Sequence, residues 1–172
     1  SMRAAALTPE KPKAEHAVTT PVGPETPCLA GADGPTPYLL YALPSDPNGK
    51  TLDVGGVLEA SRIFAPRAAL LDAQGRTTRE LGRDQFLYRG DVYSARFTPR
   101  AGEAYLLVTA APDLTGKPYQ SIAISTATTS VYTGYGVATW TSGVDAGQLR
   151  TFSYDGTVRV SVFDSAARSS RR

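Results

Sequence analysis

Side chains able to act as base, nucleophile or soft metal ligand near neutral pH are scarce in this chain. Its one histidine, His16, and its one cysteine, Cys28, both stand in a proline-rich stretch near the N-terminus. Ser-His-Asp, Cys-His and histidine-based zinc chemistry need those groups inside a folded cleft, so none of the three is expected. Carboxylates remain. Glycoside hydrolysis needs only two Asp or Glu side chains across a cleft, and Asp84, Asp91, Asp113 and Asp145 are the candidates. Acidic residues in β-turns, however, commonly serve as turn formers that accept backbone N–H groups. No Asp-x-Asp-x-Asp-Gly run marks a calcium loop. The expectation is a protein that is not an enzyme and that uses no metal and no cofactor.

Binding chemistry is better represented. The run Tyr132-Thr133-Gly134-Tyr135-Gly136-Val137-Ala138-Thr139-Trp140 interleaves aromatic rings with glycine and threonine. Tyrosine and tryptophan present a rigid apolar body with a polar handle, as the apolar face of a pyranose and its hydroxyls require. Glycine lets backbone approach a ligand closely. Tyr132, Tyr135 and Trp140 are therefore the candidate ligand-binding residues. A structural reading competes: Tyr132, Gly134, Gly136, Ala138 and Trp140 share one parity and would line one face of a single strand, with Trp140 as a core anchor. Tyr88 and Tyr119 are open to the same two readings.

The elements that would position these residues are strands. From Arg62 to Lys117, short apolar runs alternate with turn residues: Leu70-Leu71 into Asp72-Ala73-Gln74-Gly75, then residues 86–88, 92–97 and 105–108. Tyr93, Ala95 and Phe97 alternate with Val92, Ser94 and Arg96 at period two. Ser45-Asp46-Pro47-Asn48-Gly49 and Pro99-Arg100-Ala101-Gly102-Glu103 carry turn chemistry. Gly55-Gly56 suggests a bulge in the strand over residues 51–59. Asp155-Gly156 between Phe152/Tyr154 and Val158/Val160/Val162 predicts a closing hairpin. The pattern predicts an all-β fold, an antiparallel β-sandwich (jelly-roll-like or Ig-like) of about 8–10 short strands.

Seven of the thirteen prolines lie within residues 2–37, among Ala, Thr, Glu and Lys. Residues 1–37 are thus expected to form a flexible, disordered Pro/Ala/Thr-rich arm, residues 38–164 the β-sandwich domain, and residues 165–172 a disordered tail. Between 38 and 164 there are twelve Lys/Arg and twelve Asp/Glu, interleaved in sign. That balance argues against nucleic acid as a partner. Cys28 has no partner for an intramolecular disulfide; an incidental thiol, pairing with another chain, or lipidation behind a poor lipobox are its readings. No segment approaches the roughly twenty apolar residues of a transmembrane helix, and a membrane tether is left open. Ser1-Met2 reads as a cloning scar, so a removed signal peptide and export are expected.

The block from Val57 to Lys117 resembles the MalM family, the maltose-operon periplasmic proteins. The resemblance is carried by Phe64-Ala65-Pro66 before Leu70-Leu71-Asp72, by the strand pair over residues 84–97, by Tyr105 to Thr109 followed by Asp113-Leu114-Thr115-Gly116-Lys117, and by Gly156-Thr157-Val158-Arg159-Val160. About half the chain is covered, and residues 119–150 depart from the family's pattern. The resemblance implies a periplasmic, non-catalytic protein associated with malto-oligosaccharide uptake, and it transfers no functional residues. Two readings follow: a carbohydrate-associated module with an oligosaccharide partner, or a structural or adaptor domain with a cell-envelope protein partner.

Overall fold

The computed structural model describes residues 3–8, 15–31, 34–133 and 136–165, with residues 119–149 described by strand and register. Its strands in chain order are β1 (Ala5–Ala6), β2 (Glu15–Val22), β3 (Cys28–Gly31), β4 (Gly34–Ala42), β5 (Lys50–Val57), β6 (Arg62–Phe64) and β7 (Pro66–Asp72). After these come β8 (Thr77–Glu80), β9 (Phe86–Arg89), β10 (Val92–Phe97), β11 (Glu103–Ala110), β12 (Pro118–Thr133), β13 (Gly136–Ser153) and β14 (Gly156–Asp164). One 3-10 turn, Arg83–Gln85, precedes β9. The all-β expectation holds.

Two sheets form the sandwich. One runs β1-β4-β11-β7-β8, with β3 added to β4; the other runs β2-β14-β5-β10-β9. Pairing is antiparallel throughout both, apart from the parallel β1–β4 contact. Period-two alternation sends Leu106 and Val108 of β11, Ala68 and Leu70 of β7 and Tyr41 of β4 into the core from one side. From the other come Leu52 and Val54 of β5, Val158 and Val160 of β14, and Ala95 and Phe97 of β10. Burial of these side chains, each contributing about 1.5–3 kcal/mol for a Val, Leu or Phe, is the principal stabilising term.

The N-terminal third corrects the expected flexible arm. Strand β2 pairs with β14 over its whole length, from Val22 opposite Gly156 to Glu15 opposite Phe163. Leu7 is fully buried and Val22 nearly so. The prolines permit this because of where they fall. Pro21 lies in an edge strand, where a missing N–H removes no inner ladder bond. The Tyr38 N–H donates to the Pro27 carbonyl at 2.9 Å; N–H directions alternate along a strand, so the nitrogens of Pro35 and Pro37 point away from β3. Extended proline backbone is also close to strand geometry. The sandwich therefore begins well before residue 38. Residues 166–172, the greater part of the expected tail, lie outside the described residues.

Two further expectations change. Gly55-Gly56 makes no bulge: β5 keeps continuous register with β10 and β14. A Cβ at Gly55 would stand 2.1 Å from the Tyr93 carbonyl oxygen, and one at Gly56 would stand 2.2 Å from that of Phe64. Close backbone packing is what requires glycine here. Asp155-Gly156 is not a hairpin turn either. It carries the chain from β13 into β14, which pairs with β2 and β5 rather than with β13. The Asp72–Gly75 turn does join a hairpin, β7 to β8, with the Asp72 carboxylate accepting the N–H groups of Gln74 and Arg76, both at 2.9 Å.

Candidate functional site: a projecting ribbon and its root

The third sheet, β12-β13-β6, departs from the sandwich. Strands β12 and β13 pair in unbroken register from Pro118 opposite Thr151 to Thr133 opposite Gly136. Sixteen paired rows at 3.4 Å give a ribbon about 50 Å long. Among the described residues, the only strand on its outer edges is β6, which pairs in parallel with Thr151, Phe152 and Ser153 at the root.

The root is locked by an apolar plug and a polar collar. Phe152 packs in a buried cluster with Ile63, Ala65 and Ala111, joined by half-buried Leu58, Tyr93 and Leu114. The Tyr93 ring lies 5.3 Å from Phe152 and 5.7 Å from Phe86, which belongs to the main core. That aromatic chain ties the ribbon to the sandwich. In the collar, Arg62 donates from Nε to Glu59 Oε2 and from Nη1 to Asp155 Oδ2, both at 2.6 Å. Thr157 Oγ1 donates to Glu59 Oε1 at 2.9 Å, and Arg150 Nε donates to the Glu59 carbonyl at 2.7 Å. The Ser153 hydroxyl donates to Asp155 and, with Arg62 beside it, holds that carboxyl below the usual range against the opposing pull of desolvation. The two carboxylates flanking Arg62 hold its guanidinium firmly protonated. The collar is a closed set of ion pairs, with its acidic groups engaged by arginine and hydroxyl donors.

The carboxylate candidates are dispersed. Asp91 accepts both its bonds from Arg159 at 2.9 Å, and Asp113 is paired with Arg83. Asp84 lies in the 3-10 turn, and Asp145 stands opposite Ile124 in the ribbon. Among the described residues no group of three His, Cys, Asp or Glu side chains is placed to hold a metal ion. An open groove of about 310 Å³ crosses the outer face of the first sheet, walled by Leu29 and Thr36 and floored by Ala69 and Leu107. Among the described residues its charged lining residues are Arg67 and Glu80, bonded to each other at 3.1 Å.

The ribbon contains the aromatic candidates. Tyr132 is opposite Val137 and Trp140 opposite Thr129. Opposed residues share a face and successive residues alternate, so positions 132 and 140 fall on opposite faces. They are not the one-face series that a single continuous strand would have made. Tyr135 lies outside the described residues. What sequence reading missed is a signal of absence. Charged residues make up 20% of the chain, yet none occurs from Pro118 to Val144, and Asp145 alone interrupts the run before Arg150.

Fold and ribbon together define an all-β sandwich protein with a rooted, protruding β-hairpin. No family model, no curated protein and no solved structure matches the chain. Among the described residues no helix is long and apolar enough to cross a membrane.

Proposed function

We propose that this chain is a non-catalytic protein of the periplasm and cell envelope that works as a structural or adaptor domain, joining an assembly through the open edges of its ribbon. The observation that carries this reading is the ribbon: two long strands rooted in the sandwich, with no strand along their outer edges beyond the root among the described residues. Unpaired strand edges present rows of N–H and C=O groups and act as templates for another chain. An isolated two-stranded hairpin is marginally stable in water, so a partner is favoured. The resemblance of residues 57–117 to the MalM family supports export and an association with malto-oligosaccharide uptake.

The test shortens the ribbon without touching its root. Residues 122–147 are replaced by Asn-Gly, which closes Ser121 onto Gln148 with a tight turn. Cells exporting the intact chain should retain it in the envelope fraction, and the shortened chain should move to the osmotic-shock fluid. Equal partition of the two, with both folded by circular dichroism, would overturn the reading.

A second reading is weak saccharide binding at Tyr132, Tyr135 and Trp140. It is supported by the register, which places positions 132 and 140 within five rows of the distal end of the ribbon. Trp140 is the only tryptophan. A saturable fluorescence change with maltodextrins that is lost in Tyr135→Ala is expected if a saccharide binds there; a flat response with every sugar would exclude it.

A further inference from the structure

We infer that the ribbons of several copies of this chain pair edge to edge into one closed β-barrel that crosses a lipid bilayer; the inference rests on the edge-pairing reading and names its partner, a second copy. In hydrocarbon every backbone polar group must be satisfied internally, so strands cross a membrane only as closed barrels without edges. A ribbon with two open edges contributes two strands to such a barrel, and the smallest membrane barrels have eight. At least four copies are then required.

Three features of the ribbon fit lipid better than a water-facing partner. The first is charge. No Asp, Glu, Lys, Arg or His occurs from Pro118 to Val144; Asp145 is the one charge between Lys117 and Arg150, which flank the span at the root. The Arg150 position is opposite Tyr119. The second is length. From the Tyr119 row to the Trp140–Thr129 row the strand advances ten residues, about 34 Å at 3.4 Å per residue. At the usual tilt of about 40° this covers about 26 Å of bilayer normal, close to the roughly 25 Å apolar band of membrane barrels. Aromatic positions of one face stand at both limits, Tyr119 at the root and Trp140 at the far side, as membrane interfaces favour.

The third is alternation. Register assigns Thr126, Thr128, Ser130, Thr139, Thr141 and Asp145 to one face of the ribbon. Ala123, Ala127, Val131, Ala138, Trp140 and Val144 take the other. Ile122, Ile124, Tyr132, Val137 and Leu149 join the first set, and Ser121, Ser125, Thr129, Ser142 and Gln148 the second. The single carboxylate of the span thus shares a face with most of the threonines, the face that lines the barrel lumen in this assembly. The face bearing alanine, valine and tryptophan meets lipid. A ring of Asp145 carboxylates, one per copy, makes the pore cation-selective.

The full chain is added to dye-loaded vesicles of phosphatidylethanolamine and phosphatidylglycerol, and its ion selectivity is read in planar bilayers of the same lipids. Val144→Lys and Thr126→Lys occupy adjacent rows on opposite faces. A lysine on the lipid face near mid-bilayer is strongly disfavoured, and one in the lumen is tolerated. Expected results are dye release by the intact chain, at least a tenfold slower release for Val144→Lys, and near-normal release for Thr126→Lys. Asp145→Asn should lose most of the cation preference while retaining conductance. Absence of release by the folded, intact chain would overturn the barrel, as would equal release by the two lysine variants. Envelope retention that still depends on the ribbon would in that case leave the edge-pairing reading standing with a different partner. Loss of both would remove the two together.

Discussion

At the scale of single residues, the sandwich is held by a few positions whose neighbours leave no alternative. Gly56 is one, because a Cβ there would meet the Phe64 carbonyl oxygen at 2.2 Å, while one at Gly23 would meet nothing within 4 Å. Gly56→Ala should cost about 1–3 kcal/mol through overpacking, and Gly23→Ala about 0.5 kcal/mol or less. Urea midpoints of the two variants check this; equal midpoints would refute the close approach. Tyr41 is another. It is buried and donates to Thr20 Oγ1 at 2.9 Å, joining the two sheets. Desolvation, partly offset by that bond, pushes its pKa up to about 12. A raised folded pKa means that its stabilising contribution is complete below pH 10 and is lost as pH rises towards 12. Stability of the wild type should fall across that window, and Tyr41→Phe should flatten the fall.

Glu103 shows the opposite sign. Burial of its side chain, 2% exposed, raises its pKa, but bonds from Arg79, the Arg100 N–H and Thr78 outweigh this and hold it below the ordinary glutamate value of 4.5. Arg79 is fixed in turn over the Phe97 ring, 5.8 Å from its centroid. The contribution is therefore present above pH 4.5 and lost as pH falls through the depressed folded value. Glu103→Gln should lose about 3 kcal/mol at pH 7, as expected when one partner of a buried pair is removed, and should show a shallower acid limb in denaturant titrations between pH 5 and 3. An unchanged acid limb would place the acid sensitivity elsewhere.

At the scale of elements, the N-terminal strands test how far composition can be trusted. Proline, alanine and threonine read as an arm, because few large apolar residues stand among them. Few are needed when a strand lies at a sheet edge and buries one side. Leu7 follows β1, and the Leu7 N–H donates to the Ala42 carbonyl at 3.1 Å. Leu7→Ala should cost about 2–5 kcal/mol as a large-to-small change in a filled core. In a flexible arm it would cost nothing, so the thermal unfolding midpoint separates the two. The strands from β4 to β11 were legible because their alternation and their turns agree. The Asp72–Gly75 and Pro99–Glu103 turns have glycine at positive φ where the chain reverses, at Gly75 and Gly102. Gly55-Gly56 was misread because a bulge and a close approach leave the same mark in a sequence. Asp155-Gly156 was misread because a turn does not disclose which strands it leaves unpaired.

At the scale of the whole molecule, the ribbon and the sandwich divide the work. Among the residues whose side chains are described, both buried clusters lie at or within the sandwich, and Phe152 at the root is the residue that β13 gives them. Replacing residues 122–147 by Asn-Gly should therefore leave the melting temperature within about 2 °C of wild type, a shift equivalent to about 0.5–1 kcal/mol for a domain of this size. A much larger drop would show that the ribbon stabilises the sandwich, and calorimetry reads the difference directly. The aromatic candidates belong to the ribbon, but their grouping was legible only in part. Tyr132 and Trp140 look like neighbours of one parity in the linear chain, and the reversal between β12 and β13 places their positions on opposite faces.

Local alternation and turn chemistry in the sequence determined the strand content, the two-layer class and most of the core, since burying one face of a strand demands period two wherever it occurs. The scarcity of histidine and cysteine determined which chemistries to expect least. Only the tertiary structure decided that the proline-rich segment completes the sheets, that Gly55 and Gly56 admit backbone rather than a bulge, and that β12 and β13 leave the sandwich as a ribbon. Those outcomes depend on which edges are open and which strands meet, and such long-range pairings leave no local pattern by which a sequence can announce them.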